Sequence, residues 1–128
     1  MRKYKIFILS ALLAFSCDNN KITISKVEGS PKYENSQLFL NNLNLADESE
    51  FLFDVKNYEL GAQTKPEFNY SLANSPKGQH IHLIINNEPY SAHYTNKFTK
   101  KLNPNSGVIL AFLSRSYHES VKNKNAYV

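Results

Sequence analysis

Apolar and polar residues alternate along most of the chain beyond its first twenty positions, which is the periodicity of β-strands. From Val108 to Leu113 the chain is continuously apolar, as expected of a central strand buried on both faces. No long stretch repeats its apolar residues with the 3.6-residue period of a helix. The pattern therefore predicts an all-β chain. The alternating apolar positions are Ile22 and Ile24, Leu38 and Leu40, Phe51, Phe53 and Val55, and Ile81, Leu83 and Ile85.

Turn-forming clusters separate these strands, such as Gly29-Ser30-Pro31 and the segment 103–107. Short strands with turns at this spacing predict an antiparallel β-sandwich of the immunoglobulin-like kind, with a small barrel as the alternative. The connection from Gly61 to Gly78 is long, and loops of that length are often functional. At the end, residues 126–128 resemble the start of a strand. This pattern favours a sandwich that continues beyond Val128.

The first segment has the three parts of a bacterial lipoprotein signal peptide. Three basic residues precede an apolar run, Ile6 to Phe15, of about ten residues. That run is too short to cross a membrane, which needs roughly 20 apolar residues. It ends at Ser16-Cys17, and Cys17 is the only cysteine of the chain. We therefore expect a signal peptide at 1–16, a lipid on Cys17 and a linker at 17–21, with the β-sandwich domain at 22–128.

The charge of the chain belongs largely to that signal. The sequence has 15 basic and 11 acidic residues, and three of the basic ones lie in the signal, which leaves 12 against 11. A nearly neutral domain is poor support for nucleic-acid binding, so we expect no nucleic acid among its partners. With Cys17 acylated, no thiol remains for a disulfide. The expected location is the cell envelope, on a membrane, with the domain facing the periplasm or the surface.

Three histidines fall in a segment that predicts a β-hairpin, with strands at 79–85 and 90–94. The apolar residues of both strands share one face if the turn is Asn87-Glu88, which pairs Ile85 with Tyr90. In this register His82 lies directly opposite His93, and His80 lies two residues along on the same face.

Residues at those positions lie about 5 and roughly 7 Å apart, so three imidazoles can converge on one ion. The pattern predicts a copper or zinc site formed by His80, His82 and His93. His118 is a fourth ligand if its loop folds beside the hairpin. The alternative is that these are ordinary solvated histidines on an exposed strand. A slip of one residue would move His93 to the other face.

A second candidate site follows the apolar segment. Ser114, Arg115, Ser116 and His118 combine hydroxyls, a histidine and the only arginine beyond the signal. A guanidinium with such neighbours can hold a phosphate or a carboxylate through forked hydrogen bonds. The alternative is a structural arginine that packs on an aromatic ring or pairs with Glu119.

Several stretches resemble a family of bacterial lipoproteins commonly labelled phosphopeptide-binding proteins. The resemblance implies a lipid anchor, a single β domain and recognition of a phosphorylated ligand. It also implies that the family's chain continues beyond the position of Val128, so that this copy is a truncated one. The stretches are Ser30-Pro31-Lys32-Tyr33, residues 57–64, residues 78–84 and residues 111–120.

No nucleophile has an evident base beside it, so we expect a binding protein and not an enzyme. Two functions compete on the sequence. The first is recognition of an anionic or phosphorylated ligand by residues 114–118, and the second is binding of copper or zinc by the histidine hairpin. A purely structural envelope lipoprotein is the third interpretation.

Overall fold

The computed structural model describes residues 22–24, 26, 28–46, 48–69, 71–102 and 107–128. The predicted signal peptide, Cys17 and the linker lie outside these described residues, so cleavage and lipidation stay predictions. Within the described ranges, no helix is long and apolar enough to cross a membrane.

Among the described residues, six strands form two antiparallel sheets of three strands each. The first sheet has the order β1-β2-β5 and the second the order β4-β3-β6. No α-helix occurs in the part of the chain that the structure describes. The strands are β1 (Gln37–Asn44), β2 (Ser49–Lys56), β3 (His80–Ile85), β4 (Ser91–His93), β5 (Lys97–Lys100) and β6 (Ile109–Ser114).

The first sheet is built on the alternation of β2. Phe51 and Phe53 are buried and stack on each other and on Phe98 of β5, with ring centroids 5.4 to 6.2 Å apart. Between them, Leu52 points to the other face and is only partly covered. The pairing of β1 with β2 slips by one residue after Leu40, which marks a β-bulge.

The second sheet places β3 between β4 and β6. Six consecutive residues of β3 pair with β6, from His80 with Ser114 to Ile85 with Ile109. The last residues of the chain lie along the other side of β6, where Val128 and Ala111 exchange both backbone hydrogen bonds. β6 is therefore flanked on both edges.

One apolar cluster joins the two sheets. It takes buried residues from the facing sides of both sheets, and burial of such side chains is the main stabilising contribution to a fold of this size. Its members are Leu38, Phe51, Phe53, Ile81, Leu83, Ile85, Ala111, Leu113, Val121 and Ala126. Two antiparallel sheets with a shared core are consistent with a β-sandwich.

The all-β prediction is therefore confirmed, as are the strands around Leu38, Phe51 and Ile81. The strand predicted at Ile22 and Ile24 is wrong, because these side chains are 96% and 99% exposed and pair with no strand. Both residues precede the first strand of the two sheets, so their alternating side chains have no core to pack against. The last predicted strand exists as β6, but Leu110 on its outer face is 38% exposed, so only one face is fully buried.

The long connection forms no strand in its described residues, and it closes on itself just before β3. Gly61 donates to the carbonyl of Gln79, and Gln79 donates to the carbonyl of Ala62, at 2.8 and 2.7 Å. Gly78 has a φ of 83°, and a Cβ there would lie 2.2 Å from the carbonyl oxygen of Gly61. This close approach requires glycine, and it fixes the backbone from which His80 extends.

Candidate metal centre

His80 and His82 lie on the outer face of the second sheet, opposite the core residues Ile81 and Leu83. Alternation normally leaves such a face in solvent, yet the two histidines are only 0% and 4% exposed. Aromatic side chains from other segments cover them. The ring of Tyr94 lies 5.0 Å from that of His80, and the ring of Tyr90 stacks on His82 at 4.0 Å.

The hairpin register differs from the predicted one by one residue. Ile81 pairs with His93 and His82 pairs with Ala92, so the predicted pairing of His82 with His93 is wrong. The turn begins one residue earlier than predicted: Glu88 donates to the carbonyl of Ile85 across Asn86-Asn87. Asn86 adopts a φ of 52° there, a conformation that asparagine tolerates better than most residues.

His93 consequently lies on the same side of the sheet as Ile81, away from His80 and His82. Its ring stacks on Phe98 of the first sheet, with centroids 3.5 Å apart. Its Nε2 lies 2.9 Å from Oγ of Ser91. His93 therefore packs between the sheets and does not contribute to the group formed by the other histidines.

His118 takes the place predicted for His93. It ends a tight turn in which its backbone N–H donates to the carbonyl of Arg115 at 2.9 Å. Its φ is 66°, in the left-handed region, which costs a residue with a side chain roughly 1–2 kcal/mol. The turn brings its ring to 5.0 Å from His80 and 5.9 Å from His82. The predicted fourth ligand is thus the third member of the cluster.

Arg115 holds the base of this turn. Its side chain is only 4% exposed. Its Nε donates to the carbonyl of Pro31 at 3.0 Å, its Nη1 donates to the carbonyl of Ser120 at 2.7 Å, and Nη2 also contacts Pro31. The guanidinium lies 3.8 Å from Glu119 and 5.7 Å from the ring of Tyr33. These contacts match the structural alternative for this arginine.

The two serines beside Arg115 are likewise fully buried. Ser116 and Thr64 exchange hydrogen bonds, each backbone N–H donating to the other's hydroxyl at 3.1 Å. The carbonyl of Ser114 accepts from the Tyr58 hydroxyl at 2.8 Å. Of the four residues predicted to bind an anion, Ser114, Arg115 and Ser116 thus support the turn, and His118 alone reaches the histidine cluster.

The donor atoms of His80, His82 and His118 all lie within 4.8 Å of one another. The Nε2 atoms of His80 and His82 are 2.7 Å apart. Two nitrogens about 2.05 Å from a tetrahedral ion lie about 3.3 Å apart. Side-chain adjustments of the order of 1 Å therefore bring all three nitrogens onto one ion, with one position of a tetrahedron left open.

A second contact orients His80. Its Nδ1 lies 2.8 Å from the carbonyl oxygen of Gly78, which can only accept a hydrogen bond. Nδ1 therefore carries the proton, and Nε2 presents a lone pair. Histidines that bind metals usually donate their other ring N–H to a carbonyl or carboxylate in this way.

Burial keeps two of these rings neutral. Loss of solvation lowers the pKa of His80 and outweighs the hydrogen bond to Gly78, which raises it, while the nearby His118 lowers it slightly further. Loss of solvation also lowers the pKa of His82 to about 4, helped by the charges that His80 and His118 would carry. Neutral imidazole is the form that binds a metal, so protons do not compete for His82 at neutral pH.

Tyr90, Tyr94 and Phe112 form the aromatic wall of the site, and the sequence did not predict that these rings cover the histidines. The predicted register places Tyr90 and Tyr94 on the core face of the hairpin, whereas the observed register places both rings against the histidines. Phe112, across the sheet on β6, contacts His82 edge-on at 5.1 Å. The alternation of β6 places Phe112 on the outer face of the sheet. This is the one feature of the sequence that could have indicated an aromatic side chain beside the histidines.

The surface near Arg115 is a cleft of about 690 Å³. It is lined by both signs of charge, which include Lys26, Lys32 and Lys122 as well as Glu28, Glu34 and Glu119. The donors of the guanidinium are directed at backbone carbonyls of the chain itself. Anion binding there stays a prediction, with less geometric support than the histidine cluster has.

No family model, curated protein or solved structure matches this chain. The resemblance to the lipoproteins labelled phosphopeptide-binding therefore stays a prediction, and function has to be argued from the site itself.

Proposed function

We propose that this protein is a transition-metal-binding module of the bacterial cell envelope, which holds one zinc or copper ion through His80, His82 and His118. The observation that carries the proposal is the convergence of three imidazoles, two of them buried, within 4.8 Å. Burying polar rings side by side is costly, and the single hydrogen bond between His80 and His82 offsets only part of that cost. An ion that binds all three nitrogens offsets that cost.

The chemistry of the donors favours these two metals. Imidazole nitrogen suits zinc and copper, whereas magnesium and calcium require oxygen ligands. Three protein ligands and an open position are typical of sites where a metal meets another ligand, and not of closed structural sites. Binding without catalysis is part of the proposal, as are a lipid on Cys17, an envelope location and the finer assignment of an immunoglobulin-like sandwich.

Recognition of a phosphorylated ligand at Arg115 is the less favoured alternative. It requires guanidinium N–H groups that are free to bind a ligand. The N–H groups of Arg115 already donate hydrogen bonds to the carbonyls of Pro31 and Ser120. The histidine cluster needs only small side-chain movements.

Calorimetric titration of zinc(II) and copper(II) tests the proposal. The protein titrated is the full chain with the substitution Cys17→Ser, kept in detergent. The substitution removes the single thiol, which would otherwise compete for the metal. We expect binding of one ion per chain, weakened at least about 100-fold by His118→Ala, because this variant removes one of three ligands.

His93→Ala is the matched control, since His93 lies on the other side of the sheet. Equal losses in His118→Ala and His93→Ala, or no binding by a folded sample, would refute the three-histidine site. Circular dichroism of each variant checks that the β fold is retained.

A further inference from the structure

Among the described residues, the histidine cluster is covered on its strand side and exposed at His118. His80 and His82 are almost fully buried, whereas His118 is exposed and Tyr90 is 50% exposed. β6 and Phe112 cover the cluster on one flank, and Tyr94 covers it on the other. An ion held by the three nitrogens would therefore have its open position toward the edge formed by His118 and Tyr90.

The charges around this position are unbalanced. Within the described ranges, only histidines belong to the group of converging donors. The carboxylate next in sequence, Glu119, accepts a hydrogen bond from Ser30 and faces Arg115. The charge beside the aromatic wall is positive, because Nζ of Lys77 lies 5.5 Å from the ring centre of Tyr94. Three neutral imidazoles leave a divalent ion with its full charge.

A double positive charge in a largely buried place is unfavourable unless a negative group accompanies it. The described part of the chain supplies none among the converging donors, and solvent reaches the site at the open edge. In this arrangement a ligand from solution can supply the balancing negative charge.

We infer that the open position takes an anionic oxygen ligand from solution, a carboxylate or a phosphate, so that the protein binds small oxyanions only when it carries its metal. The inference rests on the proposed metal site and deepens it. Recognition of an anion then takes place at the histidine cluster, and Arg115 contributes only by holding the turn that carries His118.

Cobalt(II) provides the probe, because its visible absorption changes with the number and type of its ligands. The Cys17→Ser chain is loaded with cobalt(II) and titrated with sodium acetate or inorganic phosphate, at constant ionic strength set with perchlorate. We expect a saturable spectral change with one anion per metal. The same anions should give no calorimetric signal with the metal-free protein.

The two arms distinguish the sources of the anionic oxygen. A response to acetate alone indicates a carboxylate ligand, a response to phosphate alone indicates a phosphate ligand, and either result supports the inference. Failure to bind cobalt, zinc or copper overturns the metal site and this inference together. If the cobalt-loaded protein shows no spectral change with either anion, this inference alone is overturned.

Glu88 provides the matched variant, because it lies in the turn before Tyr90 and could reach the ion if that turn moved. Glu88→Gln should leave the anion response unchanged. If the response appears only in Glu88→Gln, the open position is filled by the protein's own carboxylate and the inference is wrong.

Discussion

The Nε2 atoms of His80 and His82 lie 2.7 Å apart and share one hydrogen bond. The bond from Nδ1 of His80 to Gly78 leaves Nε2 of His80 without a proton, so Nε2 of His82 must be the donor. A metal that binds both Nε2 atoms has to replace this proton. The metal-free site is thus held in a compact form that mimics the bound one.

The first prediction concerns the tautomers of these two rings. In the metal-free protein at pH 7, His80 carries its proton on Nδ1 and His82 carries its proton on Nε2. On binding zinc, His82 should move its proton to Nδ1, while His80 keeps its own. Nitrogen chemical shifts of labelled histidines report both states. An Nε2–H signal from His82 that survives saturation with zinc would contradict ligation through that atom.

The second prediction concerns the strained backbone of His118. Glycine adopts a positive φ without the steric cost that a Cβ brings. His118→Gly should therefore be more stable than His118→Ala by about 1 kcal/mol in urea unfolding of the metal-free protein, while both variants lose zinc affinity. Equal stabilities would show that the turn relaxes when its histidine is removed. Zinc affinity retained by either variant would exclude His118 as a ligand.

The third prediction assigns Arg115 a structural role. Arg115→Ala leaves the carbonyls of Pro31 and Ser120 without these donors, and it should lower the free energy of unfolding by about 3 kcal/mol. Zinc affinity should fall too, because the turn that carries His118 loosens. Arg115→Lys should recover little of the lost stability, since an ammonium group cannot form the forked hydrogen bonds of a guanidinium.

Lys122→Ala is the control for that prediction, since Lys122 lines the same cleft but is exposed. It should change stability by less than about 0.5 kcal/mol. An Arg115→Ala protein with unchanged stability would contradict the structural role and return Arg115 to consideration as an anion-binding residue.

The strands could be predicted from the sequence because burial on one face imposes a period of two. That argument located β1, β2, β3 and β6, and it placed His80 and His82 together on the outer face of β3. It failed at Ile22 and Ile24, since alternation alone does not guarantee a neighbouring strand.

The site could be predicted only in part. Pairing β4 with β3 required the position of one turn, and a shift from Asn87-Glu88 to Asn86-Asn87 moves His93 to the opposite face. The approach of His118 depends on Arg115, Pro31 and Ser120, which are remote from β3 in sequence. Contacts of this kind follow from packing in three dimensions and leave no local pattern.

The last prediction concerns the pH dependence of stability that His93 produces. Burial, and to a smaller extent the charge of Lys100, lowers the pKa of His93 to about 4, whereas an unfolded histidine has a pKa near 6.5. Between these values the unfolded chain binds more protons than the folded one. The stabilisation is complete above pH 6.5 and is lost as the pH falls toward 4.

His93→Phe tests this, because phenylalanine can keep the stack on Phe98 and cannot titrate. Urea unfolding with a chelator present gives the free energy of unfolding at pH 7 and pH 5. The decrease from pH 7 to pH 5 should be smaller in the variant by roughly 1 kcal/mol, because His93 is only half-buried and solvent screens part of the effect of its pKa shift. His80 and His82, whose pKa values are also lowered, contribute equally to both proteins, so their effect cancels in the comparison. Parallel decreases would show that His93 protonates within the folded protein without cost, and that its ring is less enclosed between the sheets than its contacts indicate.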